Sequence, residues 1–180
     1  MRTFEWAIED IVAAYPDLNL DHIAAMAVAL MKGDGPPCSF VVHVDGLDLR
    51  ELAGETRFVL NVTWSPQIQD AAERMERTEQ RTPLVERAAI GLAVLLLSHF
   101  VFDSELEVFK QKDRADFRLP KRNQAVEISG TERAQELPRR VREKRRQVLQ
   151  NAFGLDGHVI VCCFEPGRRV IQWSYYTQPE

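Results

Sequence analysis

Three side chains in the second half of the chain suggest chemistry: Asp116, Glu127 and Lys144. Around the two acids, polar and apolar residues alternate as they do on strands with one buried face. Ala115, Phe117 and Leu119 share one face, and Arg114, Asp116 and Arg118 the other. Val126 and Ile128 point one way; Ala125, Glu127 and Ser129 point the opposite way. Paired as a hairpin, the two strands set Asp116 beside Glu127 on the polar face. Neighbouring carboxylates repel and raise each other's proton affinity. A hard divalent cation such as Mg²⁺ relieves that repulsion by taking oxygen ligands. Lys144 belongs to a later amphipathic segment. At helical period Leu137, Val141, Val148 and Ala152 fall on one side, and Lys144 lies within that stripe, three residues after Val141 and four before Val148. An inward lysine snorkels or finds a charged partner, and the acid pair is such a partner. Gln147 flanks it.

The surrounding elements must bring these groups together. Thr82-Pro83 pairs an N-cap with a proline at the first helical position, which predicts a mostly buried helix to about His99. Strands are predicted over 101–110, 113–119 and 124–129, the last ended by Gly130. Pro138 opens a helix to about Phe153, closed by Gly154. Residues 158–164 are almost continuously apolar, as in a central strand covered on both faces, and 169–176 read as a final strand. The order from residue 83 is α-β-β-β-α-β-β. Upstream, 4–15 have helical spacing, and Asp21 caps a second helix over His22–Met31. Residues 38–45 and 57–64 read as strands, and 66–81 as a polar, helix-favouring segment.

This constellation resembles the PD-(D/E)XK nuclease superfamily, the restriction-endonuclease-like fold. The resemblance spans roughly residues 83–165. It rests on the α-β-β-β-α-β order, on Asp116 in the second strand and on Glu127-Ile128-Ser129 in the third; the strings ADF and VEISGT are also similar to divergent bacterial members. It implies an α+β protein: an αβββαβ core over 82–180, with a mixed central sheet flanked by helices, and an N-terminal α/β extension over 1–81. It also implies Mg²⁺ or Mn²⁺ held by Asp116, Glu127 and the Ile128 carbonyl, with Glu86 on the preceding helix as a further ligand. Water activated there would attack a phosphodiester of DNA or RNA. The lysine of the Glu-x-Lys motif is replaced by Ser129, which carries no charge; in some members that lysine moves to the following helix, where this chain has Lys144. Arg139, Arg140 and Arg142, with Gln147, are the expected contacts to nucleic-acid phosphates.

Composition narrows the choice of function. The 180 residues are 45% apolar and 28% charged, values ordinary for a globular domain. Cys38, Cys162 and Cys163 are odd in number and form neither a disulfide framework nor a zinc-type CxxC, so a reducing compartment is expected. The first ten residues lack a basic and apolar leader pattern. The longest apolar run, Ala88 to Leu97, is about half of what a bilayer span needs. The expectation is a cytoplasmic protein with no membrane partner. A net charge of −4 argues against indiscriminate nucleic-acid binding, yet residues 131–150 hold seven basic and three acidic residues, a local anion-facing surface. Glycine-rich phosphate loops and Gly-x-Ser-x-Gly and His-Glu-x-x-His motifs are absent. Asp103, Glu105 and Glu107 alternate on one face of the first strand and read as a solvated edge; if that face adjoins the site of Asp116 and Glu127, one of them could help bind a second metal. Besides a nuclease, two readings stay open. One is a catalytically inactive nuclease-fold subunit of a larger bacterial assembly. The other is a regulator that binds nucleic acid through the basic helix. Residues 1–81 could serve substrate selection, a homodimer contact or another protein partner.

Overall fold

The computed structural model describes all residues except 17, 19, 102–105, 109–115 and 180. The chain runs β1 (Thr3–Ala7), α1 (Asp10–Ala14), α2 (Asp21–Met31), β2 (Cys38–Asp45), β3 (Arg57–Thr63), α3 (Pro66–Thr78), α4 (Arg81–Phe100), β4 (Glu107–Val108), β5 (Phe117–Leu119), β6 (Gln124–Thr131), α5 (Leu137–Leu149), β7 (Gly157–Cys163) and β8 (Val170–Tyr176). Among the described residues the strands form one mixed sheet of eight, in the order β1-β3-β2-β8-β7-β6-β5-β4. Pairs β1/β3, β2/β8 and β6/β7 are parallel, and the other neighbours are antiparallel. The protein is thus α+β, with a mixed sheet flanked by helices, and the α-β-β-β-α-β-β order expected from residue 83 onward is present. The β2/β8 ladder carries the sheet across from the N-terminal strands to the C-terminal ones.

Alternation along the strands divides the sheet into two faces. Val126 and Ile128 of β6, Ile160 and Cys162 of β7 and Ile171 and Trp173 of β8 join the main core with α2 and α4. Val159 and Val161 face the opposite side and form a small cluster with Leu137, Val141 and Val148 of α5 and Tyr176. Helix α4 is apolar nearly all round because α2 packs on one side of it and the sheet on the other. A Cβ at Gly91 would lie 3.3 Å from Ile23 Cγ2, so glycine sets that close helix approach. Among the described residues α4 is the one helix long and apolar enough to cross a bilayer, and it is mostly buried within the protein, as a core helix is. One polar chain lies within the main core. His158 Nδ1 accepts from Trp173 Nε1 at 3.2 Å, so Nε2 carries the proton and donates to Gln124 Oε1 at 3.1 Å. Burial, with a smaller effect from Arg122, drops the imidazole pKa to about 3. All three cysteines are free and buried.

Several sequence expectations need correction. Residues 4–15 are not one helix: Thr3–Ala7 form β1, paired parallel with β3, and only Asp10–Ala14 is helical. A short apolar run fits either period, and the tertiary partner decides. Phe4 meets Phe58 and Phe100 edge-on, and Trp6 stacks on His99 with centroids 4.0 Å apart. Asp21 is the first residue of α2 rather than its cap, and α4 starts at Arg81, before the Thr82-Pro83 pair. The polar 66–81 segment holds α3, whose first turn is capped by the Ser65 hydroxyl accepting from Ile68 N. Of the strand expected over 101–110, Val101 is a turn and Glu107–Val108 is strand; 102–105 and 109–110 lie outside the described residues, Asp103 and Glu105 among them. Arg114 and Ala115 also lie outside them.

Candidate active site

Strand β5 pairs Phe117 with Val126 and Arg118 with Ala125. Asp116, one residue before β5, donates its amide to Val126 O at 3.2 Å, one residue out of step with that register, and its carboxylate meets Glu127 at the Lys144 ammonium. The amide of Ile128 donates to Asp116 Oδ2 at 2.7 Å, so the Asp116 carboxylate takes the place of a strand carbonyl and is fixed by it. Glu127 points to the α5 side of β6, its side chain 2% exposed. Helix α5 lays Leu137, Val141 and Val148 on Val159 and Val161, which seats Lys144 above β6. Lys144 Nζ donates to Glu127 Oε2 at 2.7 Å and to Asp116 Oδ2 at 3.0 Å. Three ionisable groups from three separate elements therefore meet at one point.

Their charges follow from burial and from each other. Burial first, then the nearby Asp116 carboxylate, push the Glu127 carboxyl up to about 7, against the opposing pull of Lys144. Burial also lowers the affinity of Lys144 for its proton, but the two carboxylates outweigh it and leave the ammonium pKa raised. Lys144 is thus a cation at neutral pH, while Glu127 holds its proton more tightly than an ordinary carboxyl.

A second group lies one step along β6. A Cβ at Gly130 would come within 2.4 Å of Val85 O, so only glycine lets α4 cross the strand here. That crossing delivers Glu86, which accepts from Gly130 N at 3.0 Å and from Ser129 Oγ at 3.4 Å. Arg140, one turn before Lys144 on α5, donates to Glu86 Oε1 at 2.8 Å and to Ser129 Oγ at 3.0 Å. Its second terminal nitrogen lies 3.7 Å from Glu136, and its Nε is buried without a partner among the described residues. A cavity of about 380 Å³ opens between Arg140, Lys144 and Gln147 of α5 and Glu86, Asp116 and Ser129 below.

The structure thus gathers Asp116, Glu127, Lys144, Ser129, Glu86, Arg140 and Gln147 around one cavity, with Ile128 in its lining. Arg139 and Arg142 stand apart on the outer face of α5, exposed, with Arg139 3.3 Å from Glu143. Arg140 is a member of the cavity rather than of that outer face. Two residues escaped the sequence reading. Glu136 accepts from Thr131 Oγ1 at 3.1 Å and approaches Arg140. The buried Asn151 side chain donates to Val148 O and Leu155 O and accepts from the amides of Phe153 and Leu155, which ends α5 at Leu149. Ala152 consequently lies beyond the helix, exposed, and is no part of its apolar stripe. The Asn151…Gly154 spacing was the available signal.

Two carboxylate oxygens converging on one point are a donor set that suits a hard divalent cation. Lys144 Nζ stands at that point. Glu86 is engaged by Gly130, Ser129 and Arg140 instead, and among the described residues no three His, Cys, Asp or Glu side chains form a metal-holding group. The residues fit a cation held by Asp116 and Glu127 once Lys144 moves aside. No family model, curated protein or solved structure matches the chain.

Proposed function

We propose that the chain is a divergent metal-dependent nuclease hydrolysing phosphodiester bonds of DNA or RNA, with a restriction-endonuclease-like core, acting in the cytoplasm. The observation that carries this reading is the meeting of Lys144 with Asp116 and Glu127 below an open cavity that Glu86, Arg140 and Gln147 also line. Bringing ionised groups out of water is costly, and such clusters concentrate at functional sites. The order α4-β4-β5-β6-α5-β7 supports the same reading. Asp116 and Glu127 are the residues that would hold Mg²⁺ or Mn²⁺. Such an ion would polarise a phosphoryl oxygen and lower the pKa of bound water. Lys144 supplies the positive charge missing at Ser129, and Arg140 adds a second cation on the same wall for phosphate oxygens. The exposed Arg139 and Arg142 suit flanking phosphates.

One observation favours a non-catalytic module in a larger assembly: Lys144 already pairs with both carboxylates, and position 129 is serine. Labelled DNA and RNA oligonucleotides incubated with Mg²⁺, Mn²⁺ or EDTA decide between the two. The nuclease reading expects metal-dependent cleavage by the wild type and a loss of about 10³-fold or more in Asp116→Asn and Glu127→Gln. Cleavage undiminished in those variants would sink it. Absent cleavage together with no metal-induced rise in melting temperature would favour the module.

A further inference from the structure

Lys144 occupies the point that its two acidic partners share. Its Nζ lies 2.7 Å from Glu127 and 3.0 Å from Asp116, with the side chain 18% exposed. A Mg²⁺ ion takes its oxygens at about 2.0–2.1 Å, so a cation shared by these same oxygens overlaps the ammonium. Both cannot be the primary partner of the pair. The three groups also differ in freedom to move. Asp116 stays anchored by the Ile128 amide whatever Lys144 does. Arg140 is held by Glu86 and Ser129. Lys144 has a flexible four-carbon stem and borders the cavity, where an anion is the natural alternative partner. Its departure alone would strand the buried Glu127 carboxylate, which is costly unless another cation takes its place.

We infer that Lys144 is a built-in competitor for the divalent cation, and that a phosphodiester entering the cavity draws it off, so metal and nucleic acid bind with positive cooperativity. The inference rests on the carboxylate metal site proposed above. Each ligand then strengthens the other by the same factor, because the coupling is reciprocal. Metal alone must displace Lys144, and phosphate alone must take Lys144 from a buried acid. Together they exchange partners, and every charge stays compensated.

The test titrates Mn²⁺ into the wild type and Lys144→Gln, with and without a cleavage-resistant phosphorothioate oligonucleotide. Lys144→Gln is expected to bind Mn²⁺ about tenfold tighter or more, since the competitor is gone. The oligonucleotide is expected to tighten Mn²⁺ binding to the wild type and to leave Lys144→Gln nearly unchanged. Equal or weaker binding by a folded Lys144→Gln, while the wild type binds, overturns the inference and leaves the nuclease reading standing. No Mn²⁺ binding by either protein overturns both. Should Lys144→Gln not fold, reductive methylation of Lys144 in the wild type, read by mass spectrometry, serves instead. Labelling should rise when Mn²⁺ binds and frees the amine; unchanged labelling with Mn²⁺ bound rules the competition out.

Discussion

The two faces of the sheet are made by alternate residues of the same strands, yet they do opposite things. Toward α2 and α4, the sheet presents Val126, Ile128, Ile160, Cys162 and Trp173 to a core that also holds Leu92, Leu95 and Phe58. Toward α5, the same strands offer Val159 and Val161 to a small cluster, and beside it Glu127 and Ser129. The first face supplies the hydrophobic burial on which folding depends. The second holds ionised groups at close range, an arrangement that costs stability and needs a firm support. A single strand, β6, serves both purposes through its twofold period.

The sharpest break of this comparison is a pair of truncations. Leu92→Ala removes a fully buried side chain from the main core and should cost about 2–5 kcal/mol. Val141→Ala, on the partly buried α5 side, should cost about 1 kcal/mol. Urea unfolding measures both, and equal losses would mean that the faces share the load. Next is Lys144→Met, which leaves Glu127 without its cation. In EDTA at pH 8 it should cost about 3 kcal/mol, the low end for a buried pair because Asp116 is partly exposed. At pH 5.5 the loss should shrink, since Glu127, with its pKa near 7, is then protonated.

Smaller again are two pH slopes of opposite sign, each at most about 1.4 kcal/mol per pH unit. His158 on the α4 side has a lowered pKa, so its contribution is full above about 6.5 and is lost as pH falls toward 3. Glu127 on the α5 side has a raised pKa, so its contribution is full below about 4.5 and is lost as pH rises through 7. Melting curves of metal-free His158→Gln and Glu127→Gln should flatten the acid and alkaline limbs respectively. Flattening of the same limb by both would contradict the assignment. The smallest effect on stability belongs to Arg139→Gln and Arg142→Gln, within about 0.5 kcal/mol. On the nuclease reading each should still reduce the salt dependence of nucleic-acid binding by about one unit of slope.

Strands β2, β3, β7 and β8 were readable because their β-branched and aromatic runs are bounded by turn residues. Strand β1 was not, because Phe4, Trp6 and Ile8 suit a helix as well as a strand until β3 is placed beside them. Strand alternation put Asp116 and Glu127 on polar faces and the α5 stripe turned Lys144 inward, but that the helix lies over those strands was an expectation from the resemblance to the nuclease fold. The partners of Glu86 and Arg140 were beyond that method. Glu86 meets Gly130, Ser129 and Arg140 only because Gly130 lets α4 cross β6, a long-range approach with no local signature. A helical wheel places Arg140 among other arginines, and what turns it inward is the acid delivered by another helix.

Strand β8 lies between β2 and β7, although it is the last strand of the described chain to be synthesised. Until residues 170–176 emerge from the ribosome, β1-β3-β2 and β7-β6-β5-β4 are two separate half-sheets, each with an open edge. The Asp116–Glu127–Lys144 cluster precedes that moment in translation, but the Val159 and Val161 cluster under α5 gains Tyr176 only when β8 slots between the halves. A nascent chain stalled before Val170 therefore exposes two sticky edges, of β2 and of β7, and chaperone capture at that length is the expected hazard of building a sheet from its rims inward.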